Sequence, residues 1–253
     1  LPIWFGAVAG HARSVGSPVV APRTLILLPP SEGKAPGGRG RPWAPATMAV
    51  DLDDRRRAVL DALGPDHPAR TGPTRPAIDR YRGVLYQELD PATVTGAARR
   101  RLNGRVLVVS GLWGLVAPKD PIPDYRLKMS ASLPGLGKLS TWWRPAVTEA
   151  LAGRADGAVV WDLLPNEHAA AIDWSARSPR CRVTVAFLDR GGRTVSHWNK
   201  LLKGSIVRWL AETGEHDPAA LADFDHPQGY RLDRAASTFD RRAVHLVLRE
   251  RPA

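Results

Sequence analysis

The sequence predicts a mixed α/β (α+β) fold: a single domain with a mixed central sheet, flanking helices and no simple doubly wound order. Three observations predict it. The apolar runs LILL (Leu25 to Leu28), VLVV (Val106 to Val109) and AVVWDLL (Ala158 to Leu164) read as strands covered on both faces. Each ends in a turn bearing proline or glycine, where sheets of this kind hold ligands. Segments of helical spacing stand between them in irregular alternation.

Leu1 to Arg23 has no acidic residue and reads as an extension, not necessarily native, ahead of a domain spanning residues 24–253. Its apolar opening, LPIWFGAVAG, is too brief to cross a bilayer and lacks the basic start of a secretory signal. Leu25 to Leu28 forms the first strand, and Pro29-Pro30 stop it and stiffen its exit. Gly33 then lets the backbone bend, so that Ser31, Glu32 and Lys34 stand on a pre-ordered rim. This is not a Walker loop, because Leu28 stands where that motif needs its first glycine and Ala35 follows the lysine.

Ala35 to Thr47 is a Gly/Pro/Arg-rich loop whose Arg39, Arg41 and Trp43 suit phosphate and base contacts, though a solvated loop is the commoner explanation. Met48 to Leu63, with the basic run Arg55-Arg56-Arg57, predicts a helix ended by Gly64-Pro65. A second helix is predicted over Ile78 to Leu89. Ser110-Gly111 closes the second strand. Pro118, Pro121 and Pro123 make a rigid arm leading to Asp124-Tyr125-Arg126.

SLPGLGKLSTWW, Ser132 to Trp143, looks like the hairpin of a helix-hairpin-helix element, in which Gly135 and Gly137 let backbone N–H groups approach a phosphate and Lys138 adds a charge. A helix follows from Thr141. The third strand ends in Pro165-Asn166-Glu167-His168. Arg182 to Leu188 alternates as a strand and predicts a hairpin with Thr194 to His197. Trp198 to Leu210 carries an apolar stripe through Leu201, Leu202, Ile206 and Leu210, with Lys200, Lys203 and Arg208 projecting elsewhere. FDHPQGYRLD and AVHLVLRE supply a final strand pair.

The net charge of +11 favours anionic partners, although Arg-, Pro- and Ala-rich composition also follows from codon usage. A single cysteine, Cys181, excludes an internal disulfide framework and a thiolate metal cluster, and its place in an alternating run reads as core. The seven histidines show no paired spacing, so no metal and no cofactor is called for.

LILLPPSEGK, the stretch SGLWGLVAPKDPIPDYRLKM (Ser110 to Met129), Glu167 in DLLPNEH, SHWNKLLKGSIVRW (Ser196 to Trp209) and FDHPQGYRL (Phe224 to Leu232) together resemble the YaaA peroxide-stress protein family. Tyr81, Gly83 and Tyr86 match an aromatic, a glycine and a tyrosine of that family. The resemblance implies a cytoplasmic protein of the oxidative stress response that binds DNA, without sequence preference, through a positively charged cleft and a helix-hairpin-helix element.

It further implies that distant segments converge, bringing Ser31, Lys34, Tyr86, Tyr125, Arg126, His197, Lys200, Lys203 and Arg208 to one anion-binding cleft, with Tyr230 as a further hydroxyl donor. The alternative is an enzyme acting on a small nucleotide-like or phosphorylated substrate in that cleft, with Lys34, Glu167 and Arg126 as its catalytic set. The chain departs from the family around Glu167, where Pro165, His168 and Ala170 replace a serine, a tyrosine and a lysine. Leu201 and Lys203 likewise stand where the family has lysine and arginine.

Overall fold

A computed structural model of the chain describes residues 23–194 and 196–251, with the side chains of residues 196–198 left out. Strand β1 (Thr24–Leu28) is buried along its whole length, as its unbroken apolar run requires. The loop beyond it leads to α1 (Asp53–Leu63), which starts five residues later than the spacing predicts, since Met48 to Leu52 are extended or bent rather than helical. Next come β2 (Arg75–Pro76), α2 (Ala77–Arg80) and α3 (Val84–Leu89). The single helix predicted over Ile78 to Leu89 is therefore two. Tyr81 leaves helical geometry to form a β-bridge with Lys34, and Gly83 lies against Ser31, so the turn after β1 competes successfully with helix propensity.

Helix α4 (Gly96–Arg105) precedes β3 (Val106–Ser110), β4 (Gly114–Val116), β5 (Pro121–Ile122), β6 (Ser132–Leu133) and β7 (Gly137–Lys138). Strands β6 and β7 pair with each other only, and α5 (Leu139–Ala150) follows directly. This corrects the expected helix-hairpin-helix. LPGLGK is the tip of a small β-hairpin with no helix before it, and Gly135 and Gly137 take positive φ of 72° and 68° to close it. Proline and glycine serve either turn, which is why the sequence read alike for both.

Helix α6 (Ala152–Ala155), β8 (Val159–Asp162), α7 (Asn166–Ala169) and β9 (Cys181–Leu188) follow, then α8 (Ser196–Thr213), β10 (Tyr230–Leu232), β11 (Thr238–Phe239) and β12 (Ala243–Glu250). The hairpin expected after β9 reduces to one bridge, Leu188 to Thr194, because β9 lies parallel between β8 and β12 and has no free edge to offer. The expected final strand pair is β10 with β12, and it is antiparallel.

The eight-stranded sheet runs β10-β12-β9-β8-β1-β3-β4, with β11 beside β12. Its centre, β12, β9, β8, β1 and β3, is parallel, and its margins are antiparallel, giving the mixed sheet expected. From β1 the chain moves to β3 on one side, and from β8 to β9 on the other. Connections that leave β1 and β8 in opposite directions make their carboxyl ends the switch point of the sheet, where folds of this kind hold ligands. No helix among the described residues is long and apolar enough to cross a membrane.

Helix α8 packs closely on α3, and the contact is made at Gly204, where an added Cβ would lie 2.2 Å from the Leu85 carbonyl oxygen. In an open helix Gly→Ala stabilises by about 1 kcal/mol. Here the sign reverses: Gly204→Ala must part the two backbones, and a loss of about 2–3 kcal/mol, the scale of overpacking a core, is expected in urea unfolding.

Candidate functional site

The site begins with how the turn after β1 is held. Lys34 and Tyr81 form an antiparallel bridge, flanked by Ala35 N–H donating to Arg80 O (2.8 Å) and Arg82 N–H donating to Gly33 O (2.9 Å). Ser31 Oγ donates to Gly33 O (2.5 Å) and accepts from Arg82 N–H (2.9 Å). A Cβ at Gly33 would stand 2.9 Å from Arg82 O, so the turn closes only with glycine there. The rim read from the sequence is rigid, and its second wall is the break between α2 and α3.

Lys34 Nζ lies 4.1 Å from the centre of the Tyr125 ring and 5.8 Å from that of Tyr81, and it donates to Ser31 O at 3.0 Å. Burial pushes its pKa down to about 8, with Arg126 and Arg80 pushing the same way against Asp124 and Glu32. Arg126 is therefore close enough to act on the Lys34 ammonium, and these two predicted residues share one neighbourhood. At pH 7 Lys34 is still mostly charged, resting on aromatic faces that favour a cation.

Beneath it runs a hydroxyl chain. Ser110 Oγ, at the carboxyl end of β3, accepts from the N–H groups of Leu112 (3.3 Å) and Trp113 (3.2 Å). The same Oγ is hydrogen-bonded to Tyr125 OH at 2.7 Å, and Tyr125 OH to Tyr81 OH at 3.0 Å, either hydroxyl of each pair being able to donate. Tyr86 OH separately donates to Pro29 O at 2.8 Å. Burial raises the pKa of Tyr81 and Tyr86 and pushes Tyr125 up to about 12, so all three stay protonated donors at neutral pH. Tyr86 is thus committed to fixing the exit of β1, while Tyr81 and Ser110, absent from the predicted set, take part in the network around Lys34. Ser110 was signalled by a strand ending in Ser-Gly; Tyr81 only by its family match.

At the carboxyl end of β8, buried Asp162 accepts from Arg182 Nε (2.9 Å) and Nη2 (2.6 Å), and the guanidinium stacks 4.8 Å over Trp174. Lys203 of α8 is drawn toward Asp162, although burial dominates and lowers its pKa. Glu167, in the first turn of α7, has a half-exposed carboxylate 3.5 Å from His168 Nδ1. Among the described residues no hydrogen bond or ion pair joins it to Lys34 or Arg126. Burial lowers the pKa of His168, Glu167 opposing.

Other predicted residues lie elsewhere. Arg208 donates to Leu89 O (3.1 Å) and Thr93 Oγ1 (2.8 Å) and pairs with Glu212 (2.9 Å), tying α8 to the end of α3. Lys138, Gly135 and Gly137 belong to the β6–β7 hairpin, and Lys200 is exposed on α8. Tyr230 packs on Phe187 and His226 in the margin of the sheet. The His197 side chain lies outside the described residues. Among those residues no group of three His, Cys, Asp or Glu is placed to hold a metal ion.

The depressed pKa of Lys34 has a consequence for stability. The folded protein sheds this proton near pH 8 while the unfolded chain keeps it to the ordinary lysine value of 10.5, so the unfolded state binds more protons in between. Stability attributable to Lys34 therefore rises from about pH 8 toward 10.5 and is lowest below 8. Denaturation at a series of pH values should show this rise in the wild type and not in Lys34→Met.

With the site in view, the chain can be compared with known proteins. A family profile described as peroxide stress protein YaaA matches residues 51–236. A UPF0246 protein of Streptomyces coelicolor is 39% identical over 241 residues, covering 84% of this chain and 93% of the relative. UPF0246 proteins of Corynebacterium efficiens (36% identical; 74% of this chain, 84% of the relative) and Ruegeria pomeroyi (31% identical; 74% and 73%) are similar along most of the sequence. Matches of this extent establish that the chain belongs to the YaaA peroxide-stress protein family, UPF0246.

Proposed function

We propose that this chain serves the peroxide response by binding DNA without sequence preference, holding backbone phosphate at the rim formed by Lys34 and Arg126 near the carboxyl ends of β1 and β3. The observation that carries the reading is Lys34 on its rigid turn, its ammonium acted on by the Arg126 charge and, in the opposite sense, by Asp124. A guanidinium can grip a phosphate through two parallel bonds, and a lysine adds a point charge. The net charge of +11 supplies long-range attraction, with Lys200 exposed on α8.

Filter binding of duplex DNA across a salt series tests it. Sequence-independent binding should weaken steeply with salt, and Lys34→Ala with Arg126→Ala should flatten the slope of log K against log salt by about 0.9 per lost phosphate contact. Affinity indifferent to salt, or a double variant that binds as the wild type does, overturns the reading.

A second reading has its own support. A lysine held near pKa 8 among buried tyrosines is recessed more deeply than backbone phosphate binding requires, and suits a small phosphorylated substrate. Glu167 would then provide the carboxylate from the neighbouring strand end. Thermal stabilisation by a phosphorylated small molecule that disappears in Lys34→Ala is the expected result, and none at millimolar ligand removes this reading.

A further inference from the structure

The Gly/Arg-rich loop after Lys34 is not used by the site just described, and the fold gives it a hollow of its own. Gly38, Arg39 and Gly40 from this loop, Thr74, Arg75, Pro76 and Asp79 around β2 and α2, and Lys119 with Pro121 before and within β5 line an open surface hollow of about 540 Å³. The loop is seated, not draped. Gly40 and Thr74 exchange backbone hydrogen bonds of 3.0 and 3.1 Å, and Thr74 Oγ1 donates to Arg41 O at 2.7 Å.

Both glycines are required by that seating. A Cβ at Gly38 would lie 2.5 Å from Thr74 O, and one at Gly40 would lie 2.3 Å from Thr74 Oγ1. Arg80 fixes the same loop from inside, donating to the carbonyls of Ala35 and Gly37. Trp43, which the sequence offered as a base-stacking partner for Arg39, instead turns inward, its ring 5.3 Å from Trp113. The rigid loop therefore presents Arg39 outward without an aromatic beside it.

Three cations thus reach the hollow from three separate segments. Among the described residues, Arg39, Arg75 and Lys119 make no side-chain hydrogen bond and no ion pair. The one carboxylate of the lining, Asp79, is already placed 3.7 Å from Arg99. Unneutralised cations set around a concavity attract anions, and two of them are guanidiniums able to grip phosphate bidentately. The floor is different in kind. Pro76 and Pro121 are register partners across the β2–β5 pair and put two apolar rings side by side.

We infer that this hollow is a second anion site, distinct from the Lys34 rim, that takes an organic diphosphate of nucleotide size: its phosphates on Arg39, Arg75 and Lys119, its apolar or planar part on Pro76 and Pro121. Asp79, a hydrogen-bond acceptor at the margin, fits the hydroxyl groups of a sugar. A nucleic-acid backbone fits less well, because the cations surround a pocket instead of following a line.

Isothermal titration of the full chain with ADP, pyrophosphate and inorganic phosphate tests the inference. ADP should bind saturably and more tightly than pyrophosphate, and pyrophosphate more tightly than phosphate. Arg39→Ala and Lys119→Ala each remove an exposed side chain without a folded partner, and each should weaken ADP at least tenfold, while Lys34→Ala leaves ADP affinity unchanged. Gly40→Ala, which displaces the loop from Thr74, should weaken ADP with both arginines still present. Absence of saturable ADP binding at millimolar concentration overturns the proposal. So does ADP binding that survives Arg39→Ala and Lys119→Ala, and a loss confined to Lys34→Ala would assign the ligand to the other rim.

Discussion

Arg80 is the interaction on which the functional end of this protein depends. Its side chain is fully buried, and among the described residues no carboxylate pairs with it; a guanidinium so placed is tolerable only if carbonyl oxygens take its protons. It donates to Ala35 and Gly37 in the loop after β1, to Pro73 ahead of β2 (2.9 Å) and to Ile122 in β5 (3.2 Å). Three segments distant in sequence are thereby fixed relative to one another. One consequence is the Lys34 rim, because Arg80 O is also the acceptor that anchors Ala35; another is the glycine loop beside the β2–β5 pair. Replacing so many directional bonds with apolar packing would leave four carbonyls unsatisfied, which is why the charge is retained in the interior.

The same logic governs the rest of the buried charge. Arg56 donates to the carbonyls of Trp113 (3.1 Å) and Leu115 (3.0 Å) and pairs with Asp53, holding α1 against the turn between β3 and β4. Asp120 accepts from the N–H groups of Ala49 and Ala117, both at 2.8 Å, and so closes the chain across the same region. These groups are spent on backbone atoms. Lys34 differs: its contacts are one carbonyl, a weaker second carbonyl and two aromatic faces, which leaves its charge available to an incoming anion.

How much of this was legible in the sequence follows from the range of the forces involved. Leu25 to Leu28, Val106 to Val109 and the run ending at Asp162 were legible as covered strands, because an unbroken apolar stretch has no polar face to give to solvent. The rim at Ser31, Gly33 and Lys34 was legible for the same local reason. What escaped was set by partners far along the chain. Arg55, Arg56 and Arg57 look alike in sequence, yet successive helical positions point about 100° apart, and only Arg56 meets the core. The break at Tyr81 needed knowledge of its bridge to Lys34. Lys203 and Arg208 read as free cations on α8, and only the fold shows the first buried and the second engaged by Leu89 and Glu212.

These engagements divide the labour between adjacent strand ends. At β8, Asp162 is satisfied by the two-pronged grip of Arg182, and the buried Lys203 lies within reach of the same charge. That end is close to charge balance and has little to offer an anion. Its free polar chemistry is Glu167 with the neighbouring His168, a pair suited to accepting or relaying a proton. At β1 and β3, Lys34 and Arg126 present positive charge that Asp124 and Glu32 offset in part, and the chain from Ser110 through Tyr125 to Tyr81 presents protonated hydroxyls. An anion held at one strand end would thus have a carboxylate at the neighbouring strand end, since β1 and β8 are adjacent in the sheet.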